Sequence, residues 1–290
     1  MKRIFLYLLI IITLSSCNSK KSINTNEVNT ITVSILPQKT FVQKIAGNDF
    51  KINVLIPPGA NPEIGNLLPS QLKDIAGSGI WFRIGYIGFE YSWKEKVQEA
   101  NPKMKVVDLS EGLDLIKEDD IHDTDHHNET GIDPHTWLSP RLVKQMAQKI
   151  YDEIILLKPE KTEVYKNNYL KFVQEINDLD TELTQKLSNY KGRKIIVFHP
   201  SLSYFARDYG LEQWALESGG KEPAPQQMAK IVDMAKAENI KVIYIQREFD
   251  QENARVFAEE INGEVIQISS LDPAWADNLR NIANIFVEHF

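Results

Sequence analysis

The stretch from Lys158 to Lys191 admits few folds. Its apolar residues Val164, Tyr165, Tyr169, Phe172, Val173, Ile176, Leu179, Leu183 and Leu187 recur at steps of three and four among Lys, Glu, Asp and Gln. That is the period of an amphipathic helix. Pro159 suits its first turn, and Lys191 with Gly192 suits its end. About thirty residues at about 1.5 Å each make a rod of roughly 45 Å, longer than one small domain. Apolar β-like runs alternate with helical ones on both sides of it, so the chain reads as two α/β lobes joined by a single long rigid helix. A coiled-coil arm is the alternative, but the apolar repeat does not continue over enough heptads.

The first residues stand apart from the fold. Lys2 and Arg3 precede the apolar run Ile4 to Ile12, and Leu14-Ser15-Ser16-Cys17 follows, which together read as a signal peptide over residues 1–17. The run is too short to span a bilayer. Cys17 is the only cysteine, so it forms no internal disulfide, and its setting resembles a bacterial lipobox, in which the cysteine is lipidated and becomes the new N-terminus. Residues 18–30, rich in Asn, Ser, Thr and Lys, read as a flexible tether. The body is expected outside the cytoplasm, held to a bacterial membrane by its lipid alone, in a periplasm or at a cell surface. Its formal charge of −7 becomes −9 once Lys2 and Arg3 are removed, which argues against nucleic acid and is compatible with a cationic ligand.

The first lobe is placed at residues 31–157. Strands are expected over Ile31 to Leu36, Phe50 to Ile56, Ile80 to Ile84 and Lys105 to Leu109, with helices over Pro37 to Ala46, Pro69 to Ala76 and Phe89 to Asn101. After the second strand comes Pro57-Pro58-Gly59-Ala60-Asn61-Pro62-Glu63, a stiff loop where open α/β sheets bind ligands. Glu63 is well placed to serve such a site, or simply to act as a helix N-terminal acid near the segment from Pro69. Gly77-Ser78-Gly79 precedes a strand instead of following one, so it is no dinucleotide loop.

The loop over residues 118–130 carries His122, His126 and His127 among acids. Its composition suits auxiliary metal capture on a solvated loop, while a mobile loop cannot hold fixed geometry. Asp133-Pro134-His135-Thr136-Trp137 follows, opening a helix to about Leu157, so the His135 ring can be aimed. In the second lobe, residues 192–290, His199-Pro200 tops the strand Lys194 to Phe198, mirroring His135 across the linking helix of residues 158–191. A helix at Tyr204 to Tyr209, a strand at Leu211 to Leu216, a helix from Gln226, a strand at Val242 to Gln246, a helix from Gln251, a strand at Glu264 to Ile268 and a last helix from Trp275 complete it.

The lipobox, Pro-Glu63, the His-rich loop, Asp-Pro-His135-Thr-Trp, the long helix, Phe-His199-Pro and Glu222-Pro, in this order, resemble the zinc-type (ZnuA/TroA-like) substrate-binding lipoproteins of zinc/manganese ABC transporters. The resemblance covers nearly the whole mature chain. It implies two α/β lobes on one rigid helix, a single divalent cation in the cleft, delivery to an ABC permease, a monomer and no enzymatic activity. His135 and His199 match two family ligands, one from each lobe. Glu63 falls where many members have a histidine, and Ser269 or Ser270 falls where manganese-type members have an aspartate ligand. Asp272, water or a bidentate Glu63 would then complete the shell.

Two imidazoles and a carboxylate suit Zn²⁺, which outranks Mn²⁺ at such a site. Manganese or iron in the same kind of carrier is the alternative. A zinc hydrolase is the rival class, with Glu222 or Glu248 as its base, yet the sequence holds no His-Glu-x-x-His and no Gly-x-Ser-x-Gly. A carrier of a haem or siderophore is a third reading, one that would demand a broad cleft.

Overall fold

The computed structural model describes residues 28–63, 65–117, 131–217, 225–249 and 251–290. Cys17, His122, His126, His127 and Glu222 lie outside the described residues.

The first lobe is built from β1 (Thr30–Val33), α1 (Leu36–Ala46), β2 (Lys51–Val54), α2 (Pro69–Ala76), β3 (Ser78–Arg83), α3 (Gly88–Ala100) and β4 (Lys105–Asp108). Its four strands are all parallel, in the order β2-β1-β3-β4. α4 (Pro140–Leu157) then leads to the spine, α5 (Thr162–Leu187). The second lobe runs β5 (Lys194–Val197), α6 (Ser203–Tyr209), β6 (Glu212–Ala215), α7 (Pro225–Ala237), β7 (Val242–Gln246), α8 (Gln251–Glu260), β8 (Glu264–Ile268) and α9 (Trp275–His289). Its sheet repeats the same parallel arrangement, β6-β5-β7-β8. In each lobe the strand order reverses between its first and third strands, and the crevice beyond the carboxyl ends at that point is where such sheets take ligands.

The spine is tighter than its pattern suggests. The α-helix covers 26 residues, about 39 Å at the usual rise, and single 3₁₀ turns at Pro159–Lys161 and Ser188–Tyr190 occupy the remaining ends. Tyr165, Phe172, Ile176, Leu179, Leu183 and Leu187 form its buried face. Val164, on the apolar pattern, is instead 56% exposed. Two neighbouring positions of a helix point about 100° apart, so Val164 and Tyr165 cannot both face the core.

One apolar cluster runs through both lobes by way of α1, α4, α5 and α9. Phe41 of α1 meets Trp275 of α9 edge to face at 5.2 Å, and both rings lie against Phe172 of the spine, at 5.9 and 6.3 Å. The lobes are also joined by hydrogen bonds. Trp137 Nε1 donates to the Ser270 carbonyl and Trp275 Nε1 to the Trp137 carbonyl, each at 2.7 Å. The Tyr204 hydroxyl donates to the Asp133 carbonyl at 2.7 Å and accepts from the Ile116 N–H. Buried donors satisfied across the cleft fix the relative position of the two sheets more firmly than one helix alone would.

Candidate metal centre

Glu63 reaches the cleft on the loop after β2. Gly59 takes a left-handed φ of 78° within it, and Asn61 Oδ1 accepts the Glu63 N–H at 2.8 Å, an Asx-type turn that fixes the backbone. Oε2 of Glu63 accepts the N–H of Gly88, the first residue of α3, at 3.1 Å. Oε1 is buried and has no hydrogen-bond partner. The helix N-terminus anchored by this acid is therefore that of α3, not of the segment from Pro69.

His135 follows the first lobe's last strand and opens a 3₁₀ turn, Thr136–Leu138. Ser139 then caps α4, its Oγ accepting the Leu142 N–H at 3.1 Å. Asp133 Oδ1 accepts both the His135 backbone N–H, at 2.8 Å, and its ring Nδ1–H, at 2.9 Å. Burial opposes charge on this carboxyl, but His135 and the surrounding donors outweigh it and hold Asp133 below the ordinary carboxylate range.

His199 sits at the end of β5. Gln246, the last residue of the adjacent β7, grips its backbone from both sides, accepting the N–H at 3.2 Å and donating to the carbonyl at 2.7 Å. Ring Nδ1 donates to Glu217 Oε2 at 2.9 Å, and Phe249 stacks on the ring at 4.8 Å with 21° between planes. Burial works against a charged ring, yet the hydrogen bond and charge of Glu217, aided by Glu63 and Asp133, raise His199 above the ordinary histidine value.

Both Nδ1 atoms lie against carboxylates, so in the neutral rings both Nε2 atoms carry lone pairs, and the two Nε2 atoms face each other at 3.2 Å. Two lone pairs at that distance repel unless a proton or a metal cation lies between them. Donors about 2.1 Å from a tetrahedral metal are about 3.4 Å apart, close to the spacing here. Among the described residues, Glu63, His135 and His199 form a group whose ligand atoms all lie within 4.8 Å of one another. The tie of each ring to a carboxylate is the usual outer shell of a metal-bound histidine.

The structure thus brings together Glu63, His135 and His199 as read from the sequence. Asp272 is not in that group; its Oδ1 accepts the Ala274 N–H at 2.8 Å and shapes the turn into α9. Glu217, Gln246, Phe249 and Gly88 carried no local signal, being distant in sequence from what they hold. Asp133 lay two residues before a candidate ligand, the one spacing that pointed to its role.

The model of the zinc-uptake complex component A periplasmic family matches residues 31–288. The chain belongs to this family. A second model, for the prokaryotic membrane lipoprotein lipid attachment site, matches residues 1–18. The high-affinity zinc uptake system protein ZnuA of Bacillus subtilis is 24% identical over 253 residues, covering 83% of this chain and 78% of that protein. A ZnuA deletion mutant crystallised with zinc bound is 35% identical, with a TM-score of 0.83 over 90% of this chain and 98% of that one. The periplasmic zinc-binding protein TroA of Treponema pallidum, 18% identical, shares the fold with a TM-score of 0.78 over 90% of this chain and 99% of its own. Family membership makes the chain an extracytoplasmic, lipid-anchored solute-binding receptor of metal uptake and not a hydrolase. Among the described residues, no helix is long and apolar enough to cross a membrane.

Proposed function

We propose that Glu63, His135 and His199 hold a single Zn²⁺ as cargo, for delivery to the permease of an ABC transporter. The 3.2 Å approach of two imidazole Nε2 atoms, with the Glu63 carboxylate in the same group and its Oε1 bare, carries this reading. Nitrogen donors favour zinc over manganese, by ligand preference and by the Irving–Williams order. A relative named for high-affinity zinc uptake and a neighbour crystallised with zinc support the same choice.

The lobes divide at the linking helix, residues 31–157 on one side and 192–290 on the other, and the receptor works as a monomer tethered through lipidated Cys17. Both proposed histidine ligands meet one ion from opposite lobes, so binding ties the lobes together, and the hydrogen bonds between them restrict opening to a small tilt. The permease must then draw one ligand away to release the cargo. His122, His126 and His127 serve as an auxiliary capture loop; the residues at its ends, Lys117 and Ile132, are bridged. Equilibrium dialysis with metal analysis tests the assignment. The wild type should retain one zinc per chain and the His135→Ala, His199→Ala double variant none; tight stoichiometric zinc in the double variant would overturn it.

A further inference from the structure

Among the described residues, three protein donors converge in the cleft, whereas tetrahedral zinc takes four. Among the described residues, four buried side-chain oxygens lack a hydrogen-bond partner: Glu63 Oε1, Asp133 Oδ2, Glu217 Oε1 and Glu248 Oε2. The first belongs to the donor set. Asp133 and Glu217 grip the Nδ1 edges of the two rings, away from the facing Nε2 atoms. Glu248 has no such task.

Its position is informative. Glu248 follows β7, the strand beside β5, and its neighbour Phe249 lies flat on the His199 ring. Glu248 also lines a cavity of about 80 Å³ between the lobes, walled on the opposite side by Pro57, Pro58 and Gly59 of the loop that carries Glu63. Burial pushes its carboxyl above the ordinary range, and the charges of Arg247 and His199 act against that rise. A desolvated carboxylate oxygen without a partner is costly, and a cation in reach relieves the cost.

We propose that Glu248 is the fourth protein donor, turning its carboxylate from the interlobe cavity onto the ion held by Glu63, His135 and His199. The inference rests on the three-donor centre proposed above. Glu248 lies outside the group within 4.8 Å, so its coordination requires a change of side-chain rotamer, a fast motion. Asp272 lines the same cavity but is committed to the Ala274 N–H. Closure by Glu248 makes the shell two nitrogens and two carboxylates, with no position left for water.

The test uses the mature protein, zinc competition against a chromophoric chelator, and the visible spectrum of the Co²⁺ form with and without azide. Glu248→Gln should keep one zinc per chain, lose at least about tenfold in affinity, and let azide alter the Co²⁺ spectrum. The wild type should exclude azide, Glu248→Asp should fall between the two, and Asp272→Asn should behave as wild type. Wild-type affinity in Glu248→Gln, or azide binding to the wild-type Co²⁺ form, would assign the fourth position to water and overturn the proposal. Glu63→Gln separates the two levels: if it also leaves affinity unchanged, the three-donor centre itself fails.

Discussion

The carboxylate of Glu63 is held by the backbone N–H of Gly88, 25 residues further along the chain, with Oε2 to N at 3.1 Å. One oxygen is thereby fixed at the N-terminus of α3 and the other is left without a hydrogen-bond partner. The contact also requires glycine. A Cβ at position 88 would come within 2.7 Å of the Glu63 carbonyl oxygen and 2.9 Å of Oε2.

Gly88→Ala should therefore push the Glu63 loop out of place without touching either histidine. Zinc affinity should fall by about 10- to 100-fold, the usual cost of disturbing the support of a ligand. Chelator competition checks this, and an unchanged affinity would mean that Glu63 is not a donor.

The pH dependence of binding follows from His199. Its ring must lose a proton to ligate, and its environment raises it above 6.5, so protons compete with zinc from the alkaline side of that value downward. Calorimetric affinity should be at least about tenfold weaker at pH 5.5 than at pH 7.5. The metal-free fold responds with the opposite sign. Stability from charged His199 is fully present below 6.5 and is lost as pH rises through its raised value. The rise in Tm caused by zinc should thus shrink in acid. Glu217→Gln removes the main partner of the charged ring and should move both effects to lower pH.

The aromatic contact at the spine supports the body independently of metal. Phe172→Ala removes the ring on which Phe41 and Trp275 meet, and should cost about 3–5 kcal/mol in denaturant unfolding of the metal-free protein. A loss below about 1 kcal/mol would show that the lobes do not share this core.

Local order was legible in the residues because local rules create it. Pro69 at the first turn and Gly77 after the last bound α2 where the sequence placed it, and the apolar steps of α5 mark the spine. His135 and His199 could be picked out because each stands beside a proline at the end of an element, His135 before a helix start and His199 after a strand, a relation visible over a few positions. The strands at Val242–Gln246 and Glu264–Ile268 fall where read, whereas β2 ends at Val54, two residues before the end read at Ile56, because the apolar, buried Leu55 and Ile56 carry the same pattern into the loop.

The chain by itself determined the α/β alternation, the linking helix and the candidate ligand types, because helical period, turn residues and imidazole chemistry act within a few residues of each other. Only the tertiary structure decided that two Nε2 atoms 64 residues apart would face at 3.2 Å. It alone gave Glu63 to α3, assigned Glu217 to the His199 ring, placed Asp272 in a turn and left one oxygen of Glu248 without a partner. Those outcomes depend on which strands lie side by side and how the lobes close, and distance through space leaves no period in a sequence.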